Sequence, residues 1–260
     1  LYTALSQGAV TLIDVIDQTT TAMGGRMLKR WMAFPLKDAA QIKKRHDVAE
    51  FFTSSQEKQE EIKTYLKRMS DLERLISKVA VGKICPREVG QLKNSLEAII
   101  PVKEKALASD NKALNIIGES LNPCVHLIDL FKQALDEQAP VNILKGNTIA
   151  QGYHPELDEL RGLANSGKDY LDKMLARHAA ETGITSLKIS SNNVFGYYIE
   201  VRNTHKDKVP EEWTRKQTLV NAERYITEEL KEYEGKILGA EDRINALQQE
   251  LFDTVVLEIM

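Results

Sequence analysis

Two stretches of this chain repeat apolar residues at alternating spacings of three and four, and a segment of different character lies between them. From Pro155 to about Glu181 the repeat is Leu157, Leu160, Ala164, Gly167, Leu171 and Met174, with His178 at the next position. From Asn221 to the end it is Ile226, Leu230, Tyr233, Ile237, Ala240, Ile244, Leu247 and Leu251. A stripe this narrow is the seam of a helix that meets one partner helix, not the wide face of a helix against a core. At 1.5 Å per residue the two helices would run roughly 40 Å and roughly 60 Å. Because they flank one insert, the simplest arrangement is an antiparallel pair with the insert mounted at its tip.

The insert, from Gly183 to about Glu223, is rich in β-branched and aromatic residues at Leu187-Lys188-Ile189 and again from Val194 through Phe195, Gly196, Tyr197, Tyr198, Ile199 and Glu200 to Val201. Asn192-Asn193 between these runs suits the positive φ of a tight hairpin turn. Arg215-Lys216-Gln217-Thr218-Leu219 supplies a third strand before the last helix. Upstream, residues 1–140 have the pattern of helices with short breaks. One begins near Asp71 with Ser70 as its cap, and another begins at Pro86 and carries Val89, Leu92, Leu96 and Ile99 before Pro101. Gly146-Asn147, between apolar residues from Ile143 to Ile149, predicts a small hairpin. The expected fold class is therefore mainly α with a small antiparallel β insert.

Composition excludes several classes. The chain is 42% hydrophobic and 28% charged, the balance of a globular protein rather than a disordered one. No apolar run approaches the ~20 residues that cross a bilayer, so no membrane partner is expected. Cys85 and Cys124 form no framework, which suits a reducing, cytoplasmic setting. Leu1 is not an initiator Met, and residues 255–260 stop in a helical pattern without a cap, so we expect a piece of a longer protein.

No enzymatic constellation emerges. Residues 162–168 have the glycine and lysine spacing of a phosphate loop, but Asp169 stands where a magnesium-binding Ser or Thr is needed, and no strand leads in. The five histidines, His46, His126, His154, His178 and His205, lack metal-ligand spacing, so neither cofactor nor metal is expected here. Charge departs from the average in the insert. Lys188, Arg202, Lys206, Lys208, Arg215, Lys216 and Arg224 exceed Glu200, Asp207, Glu211, Glu212 and Glu223 by two, in a chain whose net charge is −3. Lys188 and Arg215-Lys216 would share one face with the Asn192-Asn193 amides. That set suits phosphate contact, although from the charge alone a solvated surface is the favoured reading.

Motifs in a fixed order carry a resemblance. They are Leu12-Ile13-Asp14-Val15-Ile16-Asp17-Gln18-Thr19 with Thr21, Met23-Gly24, Arg26 and Trp31; Asp71-Leu72-Glu73-Arg74 with Gly82 and Pro86-Arg87; Gly152-Tyr153 with Pro155-Glu156-Leu157; Asn193-Val194-Phe195-Gly196-Tyr197-Tyr198; and Gln217-Thr218-Leu219 with Asn221-Ala222-Glu223-Arg224-Tyr225. Over essentially its whole length the chain resembles the MutS family of DNA mismatch repair proteins. The resemblance implies a helical core (1–154), a descending lever helix (155–182), a β-rich DNA clamp (183–222) and an ascending lever helix (223–260). It implies a non-catalytic region that contacts the double-stranded DNA backbone through Lys188, Asn192, Asn193, Lys216, Arg215 and Gln217. Mismatch reading and the ATP and magnesium chemistry are expected in other parts of the parent, which would be a homodimer working with downstream factors such as MutL. Val220 departs from the basic residue that relatives often carry there. A coiled-coil scaffold for protein contacts is the competing reading.

Overall fold

The structure, a computed structural model, describes residues 8–192, 194 and 196–260, the side chains of 165–168 and 236–238 excepted. It divides into two compact units, residues 1–150 with 251–260, and residues 151–250.

The first unit is helical. Its elements are α1 (Leu12–Ile16), α2 (Ala22–Ala33), α3 (Ala39–Thr53), α4 (Gln56–Leu66), α5 (Leu72–Ala80), α6 (Pro86–Leu107), α7 (Lys112–Ser120) and α8 (Val125–Ala134). Local chemistry starts them: Thr11, Thr21, Asp38, Ser55, Asp71 and Asn111 each accept a backbone N–H from the first turn of the helix that follows. Asp71, not Ser70, is the cap of α5; the Ser70 N–H instead donates to Ser95 Oγ at 2.9 Å. Pro86 opens α6 as expected, but the helix runs through Pro101 to Leu107. A buried face made of Val89, Leu92, Leu96, Ala98 and Ala106 spans the proline, so packing outweighs the backbone bond that Pro101 removes. No hairpin forms at 143–149. Ile149 pairs in an isolated bridge with Leu135, just past α8, and is fully buried there. Two of the sequence motifs meet in this unit: the Arg26 guanidinium donates to both carboxylate oxygens of Asp71, at 2.8 and 2.6 Å, and to Glu73 at 2.7 Å.

The second unit holds α9 (Pro155–Thr182), four strands and most of α10 (Glu228–Leu257). Gly183, at φ +67°, ends α9 in the left-handed conformation glycine adopts without strain. On the α9 seam Leu157, Leu171, Met174 and His178 are buried as the spacing requires; Gly167 and, on the other seam, Ile237 have side-chain positions outside those described. Contacts between α9 and α10 are antiparallel. Tyr170 and Arg177 both bond to Glu229, whereas Glu156 accepts from Arg243 at 2.7 Å and Gln248 from Arg161 at 2.9 Å.

The strands are β1 (Lys188–Asn192), β2 (Gly196–Arg202), β3 (Thr214–Thr218) and β4 (Ala222–Ile226), in the antiparallel order β1-β2-β4-β3. A 3-10 helix, Asn203–Lys208, joins β2 to β3. The fourth strand corrects the sequence reading, in which the last helix runs from Asn221. The helix instead starts at Glu228, and Thr227 Oγ1 accepts the Leu230 N–H at 3.1 Å. One face of the sheet packs Ile199, Val201 and Tyr225 with Leu171, Met174, Ile184, Leu187, Trp213 and Leu230. Removing one such side chain, as in Leu230→Ala, typically costs about 2–5 kcal/mol.

Candidate nucleic-acid interface

Strand alternation divides the sheet side chains between two faces. The register places Lys188, Glu200, Arg224 and Gln217 side by side across all four strands, on the face turned away from the apolar cluster. Arg224 is the centre of this row. Its Nε donates to Glu200 at 3.3 Å, its Nη1 donates to Gln217 Oε1 at 2.8 Å, and its guanidinium stacks 4.4 Å from the Tyr198 ring centroid. The opposite face carries the row Ile199, Tyr225 and Arg215.

Of the expected grouping of Lys188, Arg215, Lys216 and the Asn192-Asn193 amides on one face, Lys188 and Asn192 do share a face, whereas Arg215 lies on the other. Lys188 begins β1 and Asn192 ends it, so they share a face but lie roughly 13 Å apart. Arg215 and Lys216 belong to β3, the opposite edge, three strand spacings or roughly 14 Å away. A bulge between Arg215 and Gln217 shifts the register, leaving Arg215 opposite Tyr225 on the cluster side and Gln217 opposite Arg224 on the outer side. Arg215 donates to Glu223 at 3.2 Å. Asn192 Oδ1 accepts the Val194 N–H at 3.0 Å and so shapes the turn. Asn193 and Phe195 lie outside the described residues; the positive φ described at this turn belongs to Gly196, at +68°. Lys188 and Lys216 are exposed, and neither makes an ion pair among the described residues.

Beneath Arg215 lies a buried acid that sequence reading missed. The Tyr225 hydroxyl donates to Glu223, and this bond, joined by Arg215, holds the Glu223 carboxyl below its usual range. Burial first, then Glu223, pushes the Tyr225 hydroxyl up to about 12. Both residues become legible as an inward pair once Ala222 to Ile226 is taken as a strand, because positions 223 and 225 then alternate with Arg224. Residues 162–168 lie inside α9, so the backbone there is helix and not a phosphate loop. Among the described residues no His, Cys, Asp and Glu group could hold a metal ion, and no helix is long and apolar enough to cross a membrane.

The fold and this interface define a mainly helical protein whose second unit pairs two long helices with a small antiparallel sheet bearing cations at both edges. The family model for MutS domain III matches residues 2–260, and the chain belongs to that family. The DNA mismatch repair protein MutS of Christiangramia forsetii is 64% identical over 256 residues, which cover 98% of this chain and 29% of that protein. The proteins of the same name from Flavobacterium psychrophilum (60% identical; 98% and 30% covered) and Parabacteroides distasonis (54%; 100% and 30%) are similar over the same region. The chain thus spans about 30% of the length of these curated relatives.

Proposed function

We propose that this chain is the core, lever and clamp region of a MutS-type mismatch repair protein, and that its sheet holds the DNA backbone without reading sequence. The observation that carries this reading is the pairing of whole-chain family membership with exposed Lys188 and Lys216 on opposite edges of the sheet. Point charges at such positions suit phosphate, which positions a protein on a duplex and carries no base information. Arg215 and Gln217 act one step behind, since Glu223 and Arg224 already engage their polar ends. Asn192, the last residue of β1, and Asn193, which follows it in sequence, complete the set proposed for phosphate contact. The antiparallel α9 and α10 are the levers that carry nucleotide-driven rearrangement to the sheet. ATP hydrolysis with magnesium, the homodimer, contact with MutL and the cytoplasmic setting belong to this reading of the parent protein.

The test is fluorescence anisotropy of matched and mismatched duplexes titrated with the chain across a salt series. Equal affinity for both duplexes is expected, falling steeply with salt. A Lys188→Glu/Lys216→Glu variant should flatten the log–log slope by about 1.8, because each phosphate that a lysine neutralises accounts for about 0.9. Absence of binding at low salt would favour a scaffold that binds protein instead.

A further inference from the structure

We propose that Glu234 is a positioning residue that latches the β1–β2 hairpin onto α10 and so fixes the pose in which the hairpin presents Asn192. The observations all lie within the second unit. Glu234 Oε1 accepts the Tyr197 backbone N–H at 3.1 Å, between residues 37 apart in sequence. Gly196, beside it, has φ +68°, and a Cβ built there would overlap the Glu234 carboxylate. The carboxylate therefore occupies the space that any other residue at 196 would fill.

The aromatic rings describe the same docking. Tyr233, next to Glu234 on α10, stacks on Tyr170 of α9 with centroids 4.9 Å apart. Burial, then Tyr197 and Tyr170, raises the Tyr233 hydroxyl above its ordinary range; burial, then Glu241 and Glu234, does the same for Tyr197. Tyr197 and Tyr233 both pack against the apolar cluster of this unit, and the Glu234 carboxylate meets the hairpin shoulder at the Tyr197 N–H. A hydrogen bond from a backbone amide to a carboxylate is among the stronger kinds in a protein. The latch ties the hairpin directly to α10, so a rotation of the helix in this region moves the hairpin with it.

The consequence for DNA rests on the clamp reading; the latch itself does not. Amide hydrogen exchange of the full chain without DNA tests the latch. Glu234→Ala should speed exchange at Tyr197 by about tenfold or more and leave the amides of Ile199 and Leu230 unchanged. Glu234→Gln retains an accepting oxygen and should restore most of the protection, which a loss of packing would not allow. Unchanged exchange at Tyr197 in Glu234→Ala overturns the proposal, as does equal acceleration in the Gln and Ala variants. Duplex anisotropy on the same proteins separates the two ideas. If wild type shows no salt-dependent binding, the clamp reading fails while exchange still decides the latch. If wild type binds and Glu234→Ala binds more weakly, the latch positions the hairpin for DNA.

Discussion

The two hairpins of the sheet end in different circumstances. In β1–β2 the shoulder of the turn is pressed on α10: Gly196 meets Glu234, and Tyr197, whose N–H donates to Glu234, is half-buried against the apolar cluster. In β3–β4 the turn projects. Val220 is 92% exposed, and the turn is held from behind by Asn203, whose N–H donates to Asn221 O at 3.2 Å and whose Nδ2 donates to Val220 O at 2.9 Å. Both turns close an antiparallel pair, yet one sets a glycine at φ +68° against a carboxylate and the other leaves its crest open to almost any residue. The backbone alone does not impose the difference; the neighbour does. Even the first hairpin shows it internally, because Val194 at its crest is 78% exposed.

The largest effect that would sharpen this contrast is expected from Gly196→Ala. A left-handed alanine and the displacement of the Glu234 carboxylate, which would lose its bond to the Tyr197 N–H, together should cost roughly 2–5 kcal/mol of unfolding free energy in urea. In a Glu234→Ala background the cost should fall to about 1–2 kcal/mol, the strain of the backbone alone. Equal costs in the two backgrounds would show that the docked shoulder does not constrain residue 196.

A smaller effect should come from Tyr225→Phe, because β4 anchors the second hairpin inward through Tyr225 and Glu223. Losing that hydrogen bond should cost about 1 kcal/mol. The pH dependence follows from the raised Tyr225 hydroxyl. Folding favours the neutral phenol, so its contribution is complete below the unfolded value of about 10 and is lost as pH rises towards about 12. Glu223 has the opposite sense: its contribution is present above the ordinary carboxylate range and is lost as pH falls through its lowered value. Chemical denaturation across pH should show an alkaline decline in wild type that is smaller in Tyr225→Phe, the remainder coming from Tyr170, Tyr197 and Tyr233, whose hydroxyls are also raised. The acid decline should shrink in the variant but persist, because Arg215 still faces Glu223. An unaltered alkaline limb would remove Tyr225 from this role.

The smallest effect on stability is expected at the exposed turn. Val220→Lys should change unfolding free energy by less than about 0.5 kcal/mol. In the salt series, however, it should steepen the slope of DNA binding by about 0.9, the increment for one further neutralised phosphate. A lysine there that leaves the slope unchanged would mean that this turn faces away from the duplex.

Particular elements show how far the sequence could be followed. Pro155 and the spaced leucines identified α9 nearly to the residue, and the β-branched and aromatic run identified β2, because both signals are local. β4 was hidden because Ile226, Leu230 and Tyr233 continue a helical spacing backwards into a strand. Thr227 followed by Glu228 and Glu229 was the available signal, a capping residue ahead of an acidic first turn. Of the candidate interface residues, Lys188 and Lys216 proved exposed, whereas Arg215 and Gln217 are engaged within the sheet. Their faces could not be assigned beforehand because the bulge after Arg215 reverses the alternation, and nothing in Arg215-Lys216-Gln217 announces a bulge.

Periodicity, capping residues and turn formers act over a few residues, so the sequence alone determined the long helix pair, the β-rich insert between them and the helical first unit. The strand order, the split of Lys188 and Lys216 between opposite edges, the passage of α6 through Pro101 and the meeting of Gly196 with Glu234 were decided only by the tertiary structure. Each depends on which surfaces exclude water together, and that choice is made between residues far apart in the chain.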